Sequence, residues 1–144
     1  MQFQPFPKIA RLNREMIITE KLDGTNAQVY IGDPTPVDTP FEAIPDSHKA
    51  FHFFTGDGYK QEVYVGSRNK WITPKEDNAG FAKWVEANLP ELAGSLGPGS
   101  HFGEWWGGNI QRGYGVPDKR FSLFNVSRWN DQNKPACCLV VPVL

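Results

Sequence analysis

Four short stretches of this sequence carry side chains able to do chemistry, three of them beside glycines that let the backbone turn tightly. TEKLDGTN (19–26) carries Lys21 in the pattern K-x-D-G, with Asn26 close behind. VGSRNKWI (65–72) carries Arg68, HFGEWWG (101–107) carries Glu104, and KRFSLFNV (119–126) carries Phe124. A lysine amine is a nucleophile only after losing its proton. With an ordinary pKa of ~10.4 it sits about three units too high at neutral pH, a handicap of roughly 4 kcal/mol. Desolvation or neighbouring cations must lower that value before the amine reacts. An arginine fork matches the oxygens of a carboxylate or phosphate. A carboxylate set among the aromatics of GEWWG needs a polar partner to justify burial. Each residue also has a plain reading. K-x-D-G alone is a surface hairpin with Asp-Gly in its turn, Arg68 is an exposed ion-pair former, Asn26 is a turn residue, and a phenylalanine in a strand is ordinarily core.

Other reactive side chains are sparse. His48, His52 and His101 show no metal-ligand spacing and read as structural or solvent-facing. Cys137 and Cys138 are adjacent, which suits neither a disulfide framework nor paired zinc ligands, so both read as buried strand residues in a reducing cytoplasm.

The elements that must position these groups are mostly strands. Ile17-Ile18 into Leu22, Ala27 to Ile31, Glu62 to Val65, His101 to Trp105, Phe121 to Val126 and Cys138 to Val143 are short β-rich runs bounded by Gly, Pro or Asn. The first two, joined by the Asp-Gly turn, place Lys21 at the mouth of a hairpin. One helix is expected, with Phe81, Trp84, Val85, Leu89 and Leu92 on one face, Thr73, Pro74 and Asp77 as start signals and Gly94 as the stop. Residues 33–60 hold Pro34, Pro36, Pro40, Pro45, Gly56 and Gly58, which exclude a central strand and argue for a connector or lid with a hairpin near Phe51 to Phe54. Many strands, few helices and no regular βαβ alternation give an α+β fold of mainly antiparallel sheets.

At 144 residues the chain is one domain or part of one. With 15 basic against 16 acidic side chains, bulk charge announces no nucleic-acid partner, although a local basic stripe remains open. Five tryptophans and 13% aromatics exclude a disordered chain. No apolar run approaches the ~20 residues of a membrane span, and the N-terminus lacks a signal-peptide core. The run PACCLVVPVL ends in apolar strand-like sequence, which reads as the front portion of something longer, its 138–144 strand covered by further chain or by a partner.

The order and spacing of EKLDGTN, SRN, GEWWG and FSLFNV resemble the nucleotidyltransferase motifs of the ATP-dependent polynucleotide ligases, and most of all the small phage-type RNA ligases. The resemblance covers nearly all of the chain from Thr19 onward, apart from the Pro-rich connector. It implies a single nucleotidyltransferase domain over 1–144. It also implies that Lys21 attacks the α-phosphate of ATP, with Mg²⁺ present, to become a lysyl-AMP. AMP then passes to a 5′-phosphate end, which is sealed to a 3′-hydroxyl, RNA being the expected substrate. By the same resemblance Glu20 lies at the adenine rim, Asn26 and Arg68 touch ribose or phosphate, Glu104 meets the ribose hydroxyls, and Phe124 stacks on adenine while Phe121 faces the opposite side into packing. Trp105 and Trp106 pack or line the rim. A phage enzyme of this kind works in the host cytoplasm.

Two elements of the family pattern are missing, the E-G-x-V-type strand whose glutamate serves the metal and the K-x-K strand that grips the phosphates. Their absence leaves open whether the 144 residues act alone, and no metal ligand is assigned. Three other readings also stay open: a non-catalytic nucleotide- or RNA-binding module on the same scaffold, a DNA ligase or capping-type nucleotidyltransferase, and a structural domain whose terminal strand pairs with a partner.

Overall fold

The computed structural model describes residues 1–5, 7, 15–40 and 49–144. Its strands are β1 (Thr25–Ile31), β2 (Thr35–Pro36), β3 (Phe51–Phe54), β4 (Tyr59–Gly66), β5 (Trp71–Ile72), β6 (Gly99–Gly107), β7 (Lys119–Leu123) and β8 (Leu139–Val140). They form one sheet in the order β2-β4-β1-β6-β7-β8, with β3 and β5 also paired to β4. Every pairing is antiparallel except β7 with β8. The expected α+β architecture is the one observed.

Two helices, α1 (Phe81–Ala87) and α2 (Leu89–Leu96), cover one face. Strand periodicity dictates which side chains meet them, because alternate residues point to opposite faces. In β1, Ala27, Val29 and Ile31 are buried while Tyr30 is exposed, and in β4 Val63 and Val65 are fully buried. Phe81 and Trp84 of α1 lie against Trp105 of β6 and Phe121 of β7, with ring centroids 5.0–5.8 Å apart. The Trp105 indole N–H finds the Ala79 carbonyl at 2.9 Å, so its burial leaves no orphan donor. Each such side chain contributes about 1.5–3 kcal/mol by leaving water.

The single expected helix is two. Pro90 lacks an N–H and its ring excludes the carbonyl four residues back, so the chain breaks at Asn88 and restarts with proline in the first turn. The Asn88 side chain donates to the Trp84 carbonyl at 2.8 Å and closes α1. Asp77 serves as the start signal expected of it, its carboxylate accepting from the N–H groups of Ala82 and Lys83 at 2.8 and 3.1 Å. Gly94 lies within α2 and does not stop it; that part falls to Gly97, whose φ of 77° takes the chain out of the helix.

The strand expected over 17–22 is absent. Thr25–Ile31 pairs instead with β6 and β4, and residues 18–20 meet the chain end through a single bridge between Thr19 and Val143, flanked by hydrogen bonds Glu20 to Pro142 and Leu144 to Ile18. Lys21 is therefore on an extended approach to β1, not at a hairpin mouth. The 138–144 run splits in the same way, with β8 on β7, Val141 buried and the last residues crossing to 18–20. Cys137 and Cys138 are free thiols just before β8, half-buried and buried. Within 33–60, β2 and β3 pair along β4, so the expected hairpin at Phe51–Phe54 is present. The part of the connector at 41–48, with Pro45 and His48, lies outside the described residues. No helix among the described residues is long and apolar enough to cross a membrane.

Candidate active site

The face of the sheet turned away from the helices collects the polar positions of β1, β6 and β7. Register sets the arrangement: Asn26 opposes Glu104 and Gln28 opposes Phe102 across β1 and β6. Glu104 in turn opposes Ser122, and Trp106 opposes Arg120, across β6 and β7. Just past β7 the Phe124 N–H donates to the Phe102 carbonyl at 3.0 Å, which holds both rings at the same level of the sheet.

A cleft of about 260 Å³ opens there, lined by Asn26, Gln28, Ser67, Arg68, Phe102 and Phe124, among others. Three of the residues singled out from sequence, Asn26, Arg68 and Phe124, are thus brought together. Phe124 is 41% exposed whereas Phe121, three residues earlier, is fully buried against the helices, so the two phenylalanines of FSLF occupy opposite faces.

Glu104 sits beside this cleft and is 8% exposed. Its Oε1 accepts the Gly24 N–H at 3.1 Å. Burial pushes the Glu104 carboxyl above the usual carboxylate range, and Asp23 adds to the push; the Gly24 N–H and the Lys21 ammonium oppose it. Lys21 thus lies within electrostatic reach of Glu104, and it is solvent-exposed. It lines a second cleft of about 230 Å³ with Leu22, Asp23, Arg112 and Tyr114. The K-x-D-G segment is pinned at two points, Gly24 to Glu104 and the Asp23 N–H to the Tyr114 hydroxyl at 2.6 Å.

Gly24 is required for a reason other than a hairpin turn. A Cβ there would lie 2.3 Å from the Trp105 carbonyl oxygen and 2.8 Å from the Trp106 Cβ, so only glycine lets the segment lie on β6.

Glu20 lies apart from the cleft residues. It is exposed, and its N–H is occupied by the Pro142 carbonyl at 2.9 Å. Trp105 packs in the core, while half-buried Trp106 faces the site and donates its indole N–H to Ser122 Oγ at 2.9 Å. His101 is buried with Nε2 2.8 Å from the Gly97 carbonyl, a structural placement, and His52 is exposed. Among the described residues no group of three or more His, Cys, Asp or Glu is placed to hold a metal ion.

Sequence reasoning missed Phe102 and Gln28, although period two would have found them: each is two residues from a position already chosen, Glu104 or Asn26. Arg112 and Tyr114 carried no such signal, since their loop reaches Lys21 only through the tertiary fold.

Two clefts therefore hold these groups, aromatic rings, a guanidinium and an amide in one and a lysine amine in the other, with the buried carboxylate tied to the lysine segment. That set suits a nucleoside phosphate: a base on the rings, hydroxyls at the carboxylate, phosphates at the cations. A family model described as RNA ligase matches residues 14–139. No curated protein and no solved structure shows significant similarity to the chain.

Proposed function

Since the chain belongs to the RNA ligase family, we propose that it is an ATP-dependent ligase that carries AMP on Lys21 and seals 5′-phosphate to 3′-hydroxyl ends of RNA. The Lys21 nitrogen forms a bond to the α-phosphorus of ATP, the α–β P–O bond breaks, pyrophosphate departs with the electron pair, and the amine proton goes to solvent. A 5′-phosphate oxygen then attacks the same phosphorus. The P–N bond breaks, Lys21 takes up a proton, and AMP is left joined to the strand end through a diphosphate. Attack of the 3′-hydroxyl on that end forms the phosphodiester and releases AMP.

One observation carries this reading. The K-x-D-G segment is tied by the Gly24 N–H to Glu104, which shares a sheet face with the cleft of Arg68, Asn26 and Phe124. Phe124, with Phe102 beside it, takes the adenine ring. Glu104 accepts from the ribose hydroxyls, a pairing that offsets the cost of its burial. Asn26 and Arg68 hold ribose and phosphate oxygens. Glu20, outside the cleft, acts only by fixing the approach to Lys21. Asp23, beside Lys21, is the carboxylate that would help hold a Mg²⁺ ion brought with the triphosphate, and the ion would supply neutralisation of phosphate charge there.

The test is a sealing assay on 5′-phosphorylated RNA with ATP and Mg²⁺, run beside 5′-hydroxyl RNA and beside Lys21→Ala. Joining confined to the phosphorylated strand and abolished in the variant supports the reading. Joining by Lys21→Ala at the parent rate would refute it, and tight ATP binding with no joining would favour the nucleotide-binding module.

A further inference from the structure

The cleft at Lys21 holds a second cation that the motifs do not account for. Arg112 lies on the 108–118 loop between β6 and β7, a series of tight turns closed by backbone hydrogen bonds Gly108 to Val116, Ile110 to Gly107, Gly113 to Ile110 and Val116 to Gly113. Buried Ile110 anchors the loop in the core. Gln111 and Tyr114, on either side of Arg112 and Gly113, both adopt left-handed backbone, with φ of 47° and 53°. Side-chain-bearing residues hold such conformations only where the surroundings over-determine them.

Here the surroundings do so. The Tyr114 hydroxyl accepts the Asp23 N–H at 2.6 Å, and its ring stands edge-on to Trp106 with centroids 5.4 Å apart. The loop is thereby docked onto the K-x-D-G segment, and Arg112 shares a cleft of about 230 Å³ with Lys21. Among the described residues neither Lys21 nor Arg112 has an ion-pair partner. Among the described residues Asp23 is the one acidic side chain lining the cleft, against two cations. Two like charges held together in a concavity by a rigid loop favour an anion between them, and a guanidinium fork favours phosphate.

We propose that Arg112 is a phosphate-binding residue of the sealing reaction, holding beside Lys21 either the phosphate tail of ATP or the 5′-phosphate of the strand to be joined. This deepens the reading of Lys21 as the adenylylated residue and rests on it for the identity of the two phosphate sources. Tyr114 is the positioning residue that docks the loop.

The test compares the parent chain with Arg112→Ala and Arg112→Lys by equilibrium binding of inorganic tripolyphosphate and of paired 5′-phosphorylated and 5′-hydroxyl oligoribonucleotides. If the site serves the ATP tail, Arg112→Ala binds tripolyphosphate about tenfold more weakly. If it serves the strand end, Arg112→Ala loses the preference for phosphorylated over hydroxyl oligonucleotide. In either case Arg112→Lys recovers part of the loss. Because Arg112 is exposed and its side chain has no hydrogen-bond partner among the described residues, both variants should melt with the parent. Equal binding of both probes by parent and Arg112→Ala overturns the proposal. Neither measurement needs covalent chemistry. A parent that never takes up AMP, yet loses phosphate binding on Arg112→Ala, would sink the reading of Lys21 and leave the anion site standing.

Discussion

Burial with one hydrogen-bond donor among the described residues leaves Glu104 with a carboxyl held above its usual range, which is a cost to the fold at neutral pH. The sign follows from linkage. A carboxyl whose folded value is raised contributes stability that is full below the ordinary carboxylate pKa and is lost as pH rises through the folded value. Glu104→Gln keeps an acceptor for the Gly24 N–H and removes the charge. It should therefore melt higher than the parent at neutral pH, with the difference shrinking toward about pH 4, while AMP uptake falls. Melting curves across that range check it; a variant destabilised equally at every pH contradicts it. The two phenylalanines of FSLF make a second residue-scale test. Phe124→Ala should leave the melting temperature nearly unchanged and weaken ATP binding by the ~1–3 kcal/mol of a lost base stack. Phe121→Ala, made at a fully buried position, should cost about 3–5 kcal/mol of stability. That division was legible in the sequence, because a three-residue offset in a strand puts two side chains on opposite faces. The environment of Glu104 was legible only as a need for a partner. Its donor, the Gly24 N–H, comes from 80 residues away.

At the scale of elements the sequence misled where local pattern and tertiary pairing compete. Asp23-Gly24 between two β-rich runs has the form of a hairpin turn, yet β1 takes its partners from β4 and β6. Gly24 is glycine because the backbone of Trp105 lies where a Cβ would go. No local signal distinguishes that need from a turn. The prediction is specific: Gly24→Ala should lift the K-x-D-G segment off β6, break its hydrogen bond to Glu104 and lower AMP uptake by more than tenfold, as a misplacement of about 1 Å is enough to do. Adenylylation and melting measurements read the two effects separately; full activity in Gly24→Ala would refute the close-packing account. The helical region failed more gently. Its apolar positions from Phe81 to Leu92 are legible from helical spacing, but the periodicity runs on through Pro90, which divides α1 from α2.

For the whole molecule, the α+β class was legible because short β-rich runs bounded by Gly, Pro or Asn outnumber helical ones; alternating burial is clean only in β1, while consecutive residues of β4 and β7 are buried. The order of the strands was not legible, since nothing local tells β1 to sit between β4 and β6. Global stability should also carry a signature of the fold on the acid side. Burial, with Arg128 adding to it, pushes the His101 imidazole below its usual value against the Gly97 carbonyl. A depressed folded value means stability that is present above the ordinary pKa of about 6.5 and is lost as pH falls through the folded value. The melting temperature should fall with acidification in that window, and the slope should diminish in His101→Gln. An unchanged slope would assign the acid sensitivity to other groups. Central to the account, however, is the covalent use of Lys21. The most direct measurement is intact mass, with peptide mapping, after incubating the chain with ATP and Mg²⁺ beside Lys21→Ala. The expected result is a gain of one AMP, mapped to Lys21 and absent from the variant. No gain in the parent, or a gain that persists in Lys21→Ala, would contradict it.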